Sequence, residues 1–279
     1  MTATATPVLD AVLPTESATL DPWAVVGLAR RAEELGYRSV WLPDHPLPPH
    51  GYGNGYGGAL EPMVLLTAIA AATERIGVGT SVLILPLRDP FLLAKQAATL
   101  DRLAPGRLTL GVGTGWEARE FAALGADFAD RGGRTDEALR LIRHLHTAGR
   151  GPFTGDRYGF TTGVFAPVPA APVPIMVGGT SAPALRRAAR HADVWQGVAL
   201  DPDGFAERAA AVREMAGRPI GAGTRTELLP GGSAAEVAET VRAFTRAGAD
   251  HVAVWFGPEE GFAGRMADLA REAGIAPEG

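Results

Sequence analysis

The sequence predicts a (β/α)8 barrel, in which a closed ring of parallel strands is surrounded by helices. The first observation is that short apolar, β-branched runs alternate with helical patterns about eight times along the chain. The second is that most of these runs are apolar at nearly every position, as in "SVWLP" and "VPIMVGG". Such runs are typical of parallel strands that helices cover on both faces. A doubly wound open sheet is the alternative that the same alternation allows.

The apolar runs define the predicted strands. They cover residues 8–13, 39–43, 76–85, 108–112, 173–177, 193–198, 220–228 and 251–256. The segment 220–228 is the weakest candidate among them. No polar or low-complexity linker divides the sequence, so we expect one domain over residues 1–279. The Pro- and Gly-rich residues 150–172 are the one long gap, and we expect them to form an insertion over one end of the barrel.

The helices are predicted from capping residues, apolar spacing and stop signals. Asp21 is a good N-cap, Pro22 suits the first helical position, and Gly36 follows the apolar stripe as a stop. Asp89 and Pro90 repeat this design at the start of a helix that follows the third strand. Two further helices are predicted from about residue 135 and over residues 181–191.

The composition excludes several classes of protein. There is no cysteine, which excludes a disulfide framework, an iron–sulfur cluster and a thiol nucleophile. Lys95 is the only lysine and lies in a predicted helix, which argues against a Schiff-base aldolase. The net charge of -5 gives no nucleic-acid footprint, and no apolar run has membrane-spanning length. We therefore expect a cytoplasmic protein that acts on a small molecule and binds neither nucleic acid nor a membrane.

The carboxyl ends of the predicted strands carry the candidate site residues, because chemistry in this fold is found at those ends. Asp44 and His45 follow the second strand, and a histidine there can exchange protons near neutral pH. The plainer interpretation is a loop histidine beside an aspartate that caps a turn. His144 and His146 are two residues apart on a helix and do not share a face, so we expect no metal site there.

Two glycine-containing turns follow other strands. The residues Gly178-Gly179-Thr180-Ser181 lead from a buried strand into a helix, where free N–H groups and the positive helix end favour a phosphate. A tight turn with Ser181 as N-cap is the alternative. The segment "GVGTGWEA" contains a loose dinucleotide-binding pattern, but it follows the fourth strand, whereas that motif belongs after the first. The better interpretation is a loop of small residues, including Thr114 and Gly115, that contacts a flat ring.

The sequence resembles the luciferase-like family of flavin- and deazaflavin-dependent oxidoreductases. The matching segments are "RAEELGYRSVWLPDH", "TERIGVGTSVLILPLRDPFLLAKQAATLDRLAPGRLTLGVGTGWEAREFAALG", "RGGRTDEALRLIRHL" and "VPIMVGGTSAPALRRAARHADVW". The resemblance implies a bulged third strand with a cis peptide bond at Ser81–Val82 that backs the cofactor ring. It also implies that Asp44 hydrogen-bonds near the ring or its side chain, and that His45 donates a proton or binds substrate at the reactive face.

The resemblance further implies the remaining site residues and the cofactor. Glu117 lies near the acid that some deazaflavin-dependent members use as proton donor, although Trp116 intervenes. Thr114 and Gly115 are expected along the ring or the ribityl chain, and Gly178, Gly179, Thr180 and Ser181 at the cofactor phosphate. The expected cofactor is coenzyme F420, used for hydride transfer, with FMN and monooxygenation as the alternative. Members of the family are often homodimers.

Two alternatives from other classes stay open at this point. One is a flavin-binding family member without catalytic activity. The other is a barrel enzyme that acts on a phosphate-bearing substrate and uses no redox cofactor. The loop of residues 46–58 and the insertion of residues 150–172 are expected to shape the substrate pocket, whose ligand the sequence does not specify.

Overall fold

Eight parallel strands close into a barrel in the computed structural model, which describes residues 7–49 and 57–275. The strands in chain order are β1 (Leu9–Val12), β2 (Ser39–Leu42), β3 (Gly77–Thr80), β4 (Leu83–Ile84), β5 (Leu108–Gly113), β6 (Phe153–Thr154), β7 (Gly159–Phe160), β8 (Ile175–Gly178), β9 (Val194–Gly197), β10 (Gly221–Glu227) and β11 (His251–Trp255). β3 and β4 are two parts of one interrupted barrel strand, and both pair with β5. β11 pairs with β1 and closes the ring, while β6 and β7 form a separate hairpin. The (β/α)8 prediction is therefore confirmed.

Helices follow the barrel strands and cover them from outside. They are α1 (Pro22–Glu34), α2 (Pro62–Ala72), α3 (Pro90–Leu103), α4 (Ala118–Ala123), α5 (Arg131–Ala148), α6 (Ala182–His191), α7 (Pro202–Ala216), α8 (Ala234–Arg246) and α9 (Phe262–Ala273). The predicted caps are confirmed, since Asp21 accepts a hydrogen bond from Trp23 N and Asp89 from Leu92 N. Within the described residues no helix combines the length and the apolarity that crossing a bilayer requires.

α5 begins at Arg131, earlier than the predicted start near residue 135. Gly132 and Gly133 stand in its first turn, and glycine has a low helix propensity. The helix also has no side-chain hydrogen bond from its N-cap residue, Asp130. Two usual start signals are therefore weak here, and packing of the apolar face against the barrel sets the start instead.

The strand that was weakest in the sequence, β10, is a full member of the barrel and pairs with both β9 and β11. Its glycine at position 223 gives the reason for the weak signal. A Cβ atom added there would overlap the imidazole of His251 on the neighbouring strand. The barrel interior thus holds a histidine ring at a place where an apolar side chain of β10 would otherwise pack.

The insertion contains the β6–β7 hairpin and packs on the side of the barrel, against α3 and α5. Phe160 meets Phe91 of α3 with a centroid distance of 5.8 Å. The buried Glu137 carboxylate of α5 accepts hydrogen bonds from Arg157 N at 2.8 Å and Tyr158 N at 2.7 Å. The structure thus shows contacts of this segment with the outer helices, and its expected place over one barrel end stays a prediction. Its aromatic side chains need apolar cover, which the outer helices supply.

Acid is expected to release this hairpin from α5. Burial by itself raises the pKa of Glu137, but hydrogen bonds from the backbone of Arg157 and Tyr158 outweigh it and lower the pKa below the ordinary 4.5. A carboxylate with a lowered pKa stabilises the fold above its ordinary pKa and loses this effect as the pH falls through the lowered value. We therefore expect the Arg157 and Tyr158 amide signals to change below pH 4.5 in an NMR titration.

The Glu137→Gln variant is the control for this titration. Its uncharged side chain does not titrate, so both amide signals should show no transition in the same range. An identical acid transition in the variant would assign the change to another group.

Candidate active site at the barrel mouth

A cavity of about 530 Å³ opens at the carboxyl ends of the strands. Its walls come from the loops and strand ends of β1, β2, β4, β5, β9, β10 and β11. The described residues that line it are Val12, Glu16, Pro43, Asp44, His45, Gly57, Ser81, Val82, Ile84, Gly115, Trp116, Val198, Arg225, Trp255 and Pro258. The cavity is large enough for a drug-sized ligand, and it lies where barrel enzymes carry their active sites.

The interruption between β3 and β4 forms part of the cavity wall. The peptide bond between Ser81 and Val82 is cis, as the resemblance implies, and both residues line the cavity. The Ser81 backbone N–H donates to Leu42 O at 2.8 Å, and the Ser81 hydroxyl donates to Gln196 Oε1 at 2.7 Å. Contacts with two other barrel strands therefore hold this bulge in place.

Polar side chains continue below Ser81 into the barrel interior. Gln196 Nε2 lies 3.5 Å from His251 Nε2, and burial lowers the pKa of His251, which favours its neutral form. Asp10, at the lower end, accepts hydrogen bonds from Arg38 at 2.7 Å and from Trp41 Nε1 at 3.0 Å. These partners compensate the buried Asp10 charge, so the interior below the cavity is a hydrogen-bonded support rather than an open channel.

Asp44 lines the cavity, but its carboxylate is occupied by protein partners. Arg88 donates to Asp44 Oδ1 at 2.7 Å and to Oδ2 at 3.1 Å. The backbone N–H of Ile84, in β4, donates to the same Oδ2 at 3.0 Å. Asp44 therefore fixes β4 next to the bulge and pairs with an arginine that the sequence did not point to.

Removing this arginine should destabilise the protein. Arg88→Met leaves the Asp44 carboxylate buried without its cation, and breaking such a buried pair costs about 3 kcal/mol. The same change also removes the 2.7 Å contact of Arg88 with Glu61. Denaturant unfolding of the variant measures the loss. The double variant Asp44→Asn/Arg88→Met removes the unpaired charge and should recover part of the stability; a double variant less stable than the single one would contradict this explanation.

His45 pairs with a buried glutamate. Its Nδ1 atom lies 3.0 Å from Glu120 Oε2, and the second oxygen of Glu120 accepts a hydrogen bond from Leu47 N at 2.8 Å. The Glu120 side chain is fully buried. The ring of His45 also meets the edge of Trp116, with centroids 5.6 Å apart. A carboxylate at Nδ1 fixes the orientation and the tautomer of the imidazole.

Glu117, the acid proposed from the sequence, occupies a different position. It is the N-cap residue of α4, and its carboxylate accepts a hydrogen bond from Arg119 N at 3.1 Å. Among the described residues it is not part of the cavity lining, whereas His45 is. One turn of helix separates Glu117 from Glu120, and the turn after β5 brings the second of these two acids to His45.

The Gly178–Ser181 turn lies beside the bulge without lining the cavity as the described residues define it. A Cβ on Gly178 would come within 2.9 Å of Val82 Cγ1, so the turn and the bulge are in direct contact. Ser181 is the N-cap of α6 and accepts a hydrogen bond from Ala184 N, which is the role that the capped-turn alternative gives it. Arg187, farther along α6, donates to Asp136 Oδ1 at 2.6 Å, so its charge is paired within the protein.

The opposite wall of the cavity carries Glu16, Arg225 and Trp255. Arg225 Nη1 donates to the Ser81 carbonyl at 3.2 Å. Burial lowers the pKa of Arg225 and raises that of Glu16, although each favours the charged form of the other. The buried indole N–H of Trp255 makes no well-formed hydrogen bond among the described residues, although its interaction with the Glu16 carboxyl favours the ionised form of Glu16.

Comparison with known proteins supports the family that the sequence resembles. The model of the luciferase-like monooxygenase family matches residues 8–274. The chain belongs to the luciferase-like monooxygenase family.

An uncharacterized Mycobacterium tuberculosis protein is 38% identical to this luciferase-like chain over 203 residues, which are 68% of this chain and 70% of that protein. An F420-dependent glucose-6-phosphate dehydrogenase of Amycolatopsis mediterranei is 36% identical over 176 residues, covering 62% and 52% of the two chains. The fold matches that of an F420-dependent secondary alcohol dehydrogenase in complex with an F420-acetone adduct, with a TM-score of 0.81, 17% identity, and coverage of 96% and 99%.

Some of the residues at this cavity were candidates from the sequence, and others were not. Of the candidates, Asp44, His45, Ser81, Val82 and Gly115 line the cavity. Thr114 is half-buried next to Gly115 and, like Glu117, is not part of the described lining. The residues that sequence reasoning missed are Glu16, Arg88, Glu120, Arg225 and Trp255. Arg225 and Trp255 lie in barrel strands, whereas Glu16, Arg88 and Glu120 lie in the segments that follow β1, β4 and β5, and no local pattern marks any of them.

The pocket-shaping segments also differ from expectation. Gly57, in the loop of residues 46–58, lines the cavity, and residues 50–56 of that loop lie outside the described part of the chain. No described residue of the segment 150–172 contributes to the lining, because its hairpin packs on α3 and α5. On that side the cavity is instead bordered by Glu16 after β1, Arg225 within β10, and Trp255 and Pro258 at the end of β11 and after it.

Proposed function

We propose that this protein binds coenzyme F420 in the barrel mouth and transfers a hydride between it and a small organic substrate. The observation that carries the proposal is that the Ser81–Val82 bulge of the interrupted strand and His45, which is paired with Glu120, line the same cavity. When bound, F420 supplies a ring carbon that accepts or gives up hydride. The protein residues supply binding, orientation and a proton.

The residues around the bulge fit a tricyclic ring with a ribityl phosphate. Ser81 and Val82 would support the ring, with Thr114 and Gly115 along it. The Gly178–Ser181 turn, at the start of α6, would hold the phosphate with backbone N–H groups and the positive helix end. Gly179 has φ +117, a conformation in which a side chain is strained, and it leaves the backbone open to a close ligand. This turn contacts Val82, so a single molecule could reach both places.

His45 is the residue that we propose for proton transfer. It lines the cavity next to Ser81 and Val82, and Glu120 holds its Nδ1 atom. With Nδ1 held by the carboxylate, the oriented His45 ring can deliver a proton when a carbonyl is reduced and take one when an alcohol is oxidised. Glu120 is a positioning residue in this scheme, because its two oxygens are bonded to His45 and to the Leu47 backbone.

The choice of F420 over FMN is supported by the Amycolatopsis relative, which is named as F420-dependent and shares 36% identity over 176 residues. FMN-dependent monooxygenation is the second candidate, because the family as a whole is described by its monooxygenases. The two cofactors share a tricyclic ring and a ribityl phosphate, so the same bulge and turn suit both.

A binding titration distinguishes the two candidates. Purified protein is titrated with oxidised F420 and with FMN, and the fluorescence of each cofactor is followed. We expect saturable binding of F420 and at least about tenfold weaker binding of FMN, a difference of about 1.4 kcal/mol. Tighter binding of FMN would favour the monooxygenase. Binding of neither cofactor, in oxidised or reduced form, would reject the redox function and leave a barrel enzyme without such a cofactor.

A further inference from the structure

One wall of the cavity is not explained by the proposed cofactor site. Glu16, Arg225 and Trp255 belong to the contiguous strands and turns of β1, β10 and β11. The ring and phosphate residues belong to β4, β5 and β8, on the other side of the mouth. The unexplained wall therefore borders the space that remains for a substrate.

Arg225 brings a positive charge into this space, where Glu16 interacts with it without forming a close ion pair. No Asp or Glu oxygen of the described residues lies within the 4.0 Å limit of an ion pair with it. Its one hydrogen bond goes to a neutral acceptor, the Ser81 carbonyl, and uses one of its five donors. Burial lowers the pKa of Arg225, which reflects the cost of keeping this cation away from water.

Trp255 adds a second N–H donor to this wall, and the Glu16 carboxyl lies beside it. The Trp255 indole N–H is buried and completes no hydrogen bond within the described residues, although it faces the Glu16 carboxyl closely enough to favour its ionised form. The net effect of burial nevertheless raises the pKa of Glu16. Arg225 and Trp255 thus keep N–H donors at the cavity without well-formed hydrogen bonds, and such buried donors indicate a missing ligand atom.

We propose that Arg225, Trp255 and Glu16 form a subsite for the carboxylate group of the substrate, so that the enzyme acts on small organic acids. A carboxylate supplies both a negative charge and two acceptor oxygens, which match the guanidinium fork and the indole N–H. A neutral carbonyl would occupy a donor and leave the charge of Arg225 uncompensated. This inference rests on the proposed function, because the bound acid is taken as the substrate of that reaction.

The test compares acids with their amides. An amide has nearly the same shape as its acid but carries no charge. Calorimetric titrations of the full-length protein use acetate and acetamide, benzoate and benzamide, and phenylacetate and phenylacetamide. We expect at least one acid to bind about tenfold or more tightly than its amide, as a charge-assisted contact implies. This comparison needs no variant, so it stays decisive even if a substitution prevents folding.

Three variants then identify the residues responsible. Arg225→Met should abolish the preference for the acid, Arg225→Lys should keep part of it, and Trp255→Phe should weaken acid binding a few fold. Arg75→Met is the matched control, since the Arg75 side chain is 73% exposed and its ion pair is with the neighbouring Glu74. It should leave every affinity unchanged.

The outcomes separate this inference from the proposed function. Equal affinity for all acids and amides, or a preference that survives Arg225→Met, overturns the carboxylate subsite. Loss of F420 or FMN binding in Arg225→Met, with the acid preference intact, also overturns it by assigning the arginine to the cofactor. An acid preference in a protein that binds neither cofactor upholds the subsite and rejects the redox function.

Discussion

Replacing Glu120 with glutamine is expected to reduce turnover by about 100-fold or more, within the range of general acid–base catalysis. The physical reason is a change of hydrogen-bond roles. The Glu120 carboxylate can only accept, so it requires a proton on Nδ1 of His45 at their 3.0 Å contact. A glutamine amide can donate to Nδ1, which favours the other tautomer of the ring.

Two measurements check this expectation. Turnover is followed by cofactor absorbance with the first organic substrate that reduces or oxidises it. The ¹⁵N chemical shifts of the His45 ring report the tautomer, a signal that a purely structural role of Glu120 would not alter. We expect both to change in Glu120→Gln, while cofactor affinity stays within a few fold because Glu120 does not line the described cavity.

Glu117→Gln is the matched control, because Glu117 belongs to the same short segment and carries the same charge. It caps α4 and should affect turnover only slightly. If Glu117→Gln instead lost about 100-fold and Glu120→Gln did not, the acid predicted from the sequence would be the functional one.

Replacing Gly179 with valine is expected to weaken cofactor binding by about 100-fold, because the substituted backbone can no longer approach the phosphate. At φ +117 a β-branched residue is strained, and its Cβ would lie 3.0 Å from the Ala184 side chain in the first turn of α6. Relief of either conflict displaces the N–H groups at the helix start. Fluorescence titration with F420 and with FMN measures the loss.

Gly163→Val is the control for backbone strain. Gly163 has φ +138, and a Cβ there would meet no atom within 4 Å. This variant introduces similar strain away from the cavity, so it should bind the cofactor normally. Normal binding by Gly179→Val would place the phosphate elsewhere, and a similar loss in both variants would indicate general destabilisation.

The fold was largely predictable because its signals are local. Capping residues such as Asp21 and Asp89 satisfy helix N–H groups within a few residues, and they confirm the predicted helix starts. Apolar runs predicted the barrel strands for the same reason. The weak β10 prediction has a distant cause, because its Gly223 is matched to His251 across the sheet.

The site was predictable only where sequence neighbours act together or a family resemblance applied. The Ser81–Val82 bulge followed from the resemblance, and Asp44 and His45 followed from their place after a strand. The residues that pair with Asp44 and His45 could not be predicted in this way. Arg88 and Glu120 are 44 and 75 residues away from Asp44 and His45, respectively, so no local pattern connects them.

The sequence by itself determined the order of strands and helices, the strand ends that carry polar residues, and the excluded chemistries, because these depend on composition and short-range periodicity. Only the tertiary structure decided that Glu120 rather than Glu117 contacts His45, and that Arg88 pairs with Asp44. It also brought Arg225 across the mouth to Ser81, 144 residues away. These pairings arise when the ring of strands closes, since closure alone sets the distances between side chains on different strands.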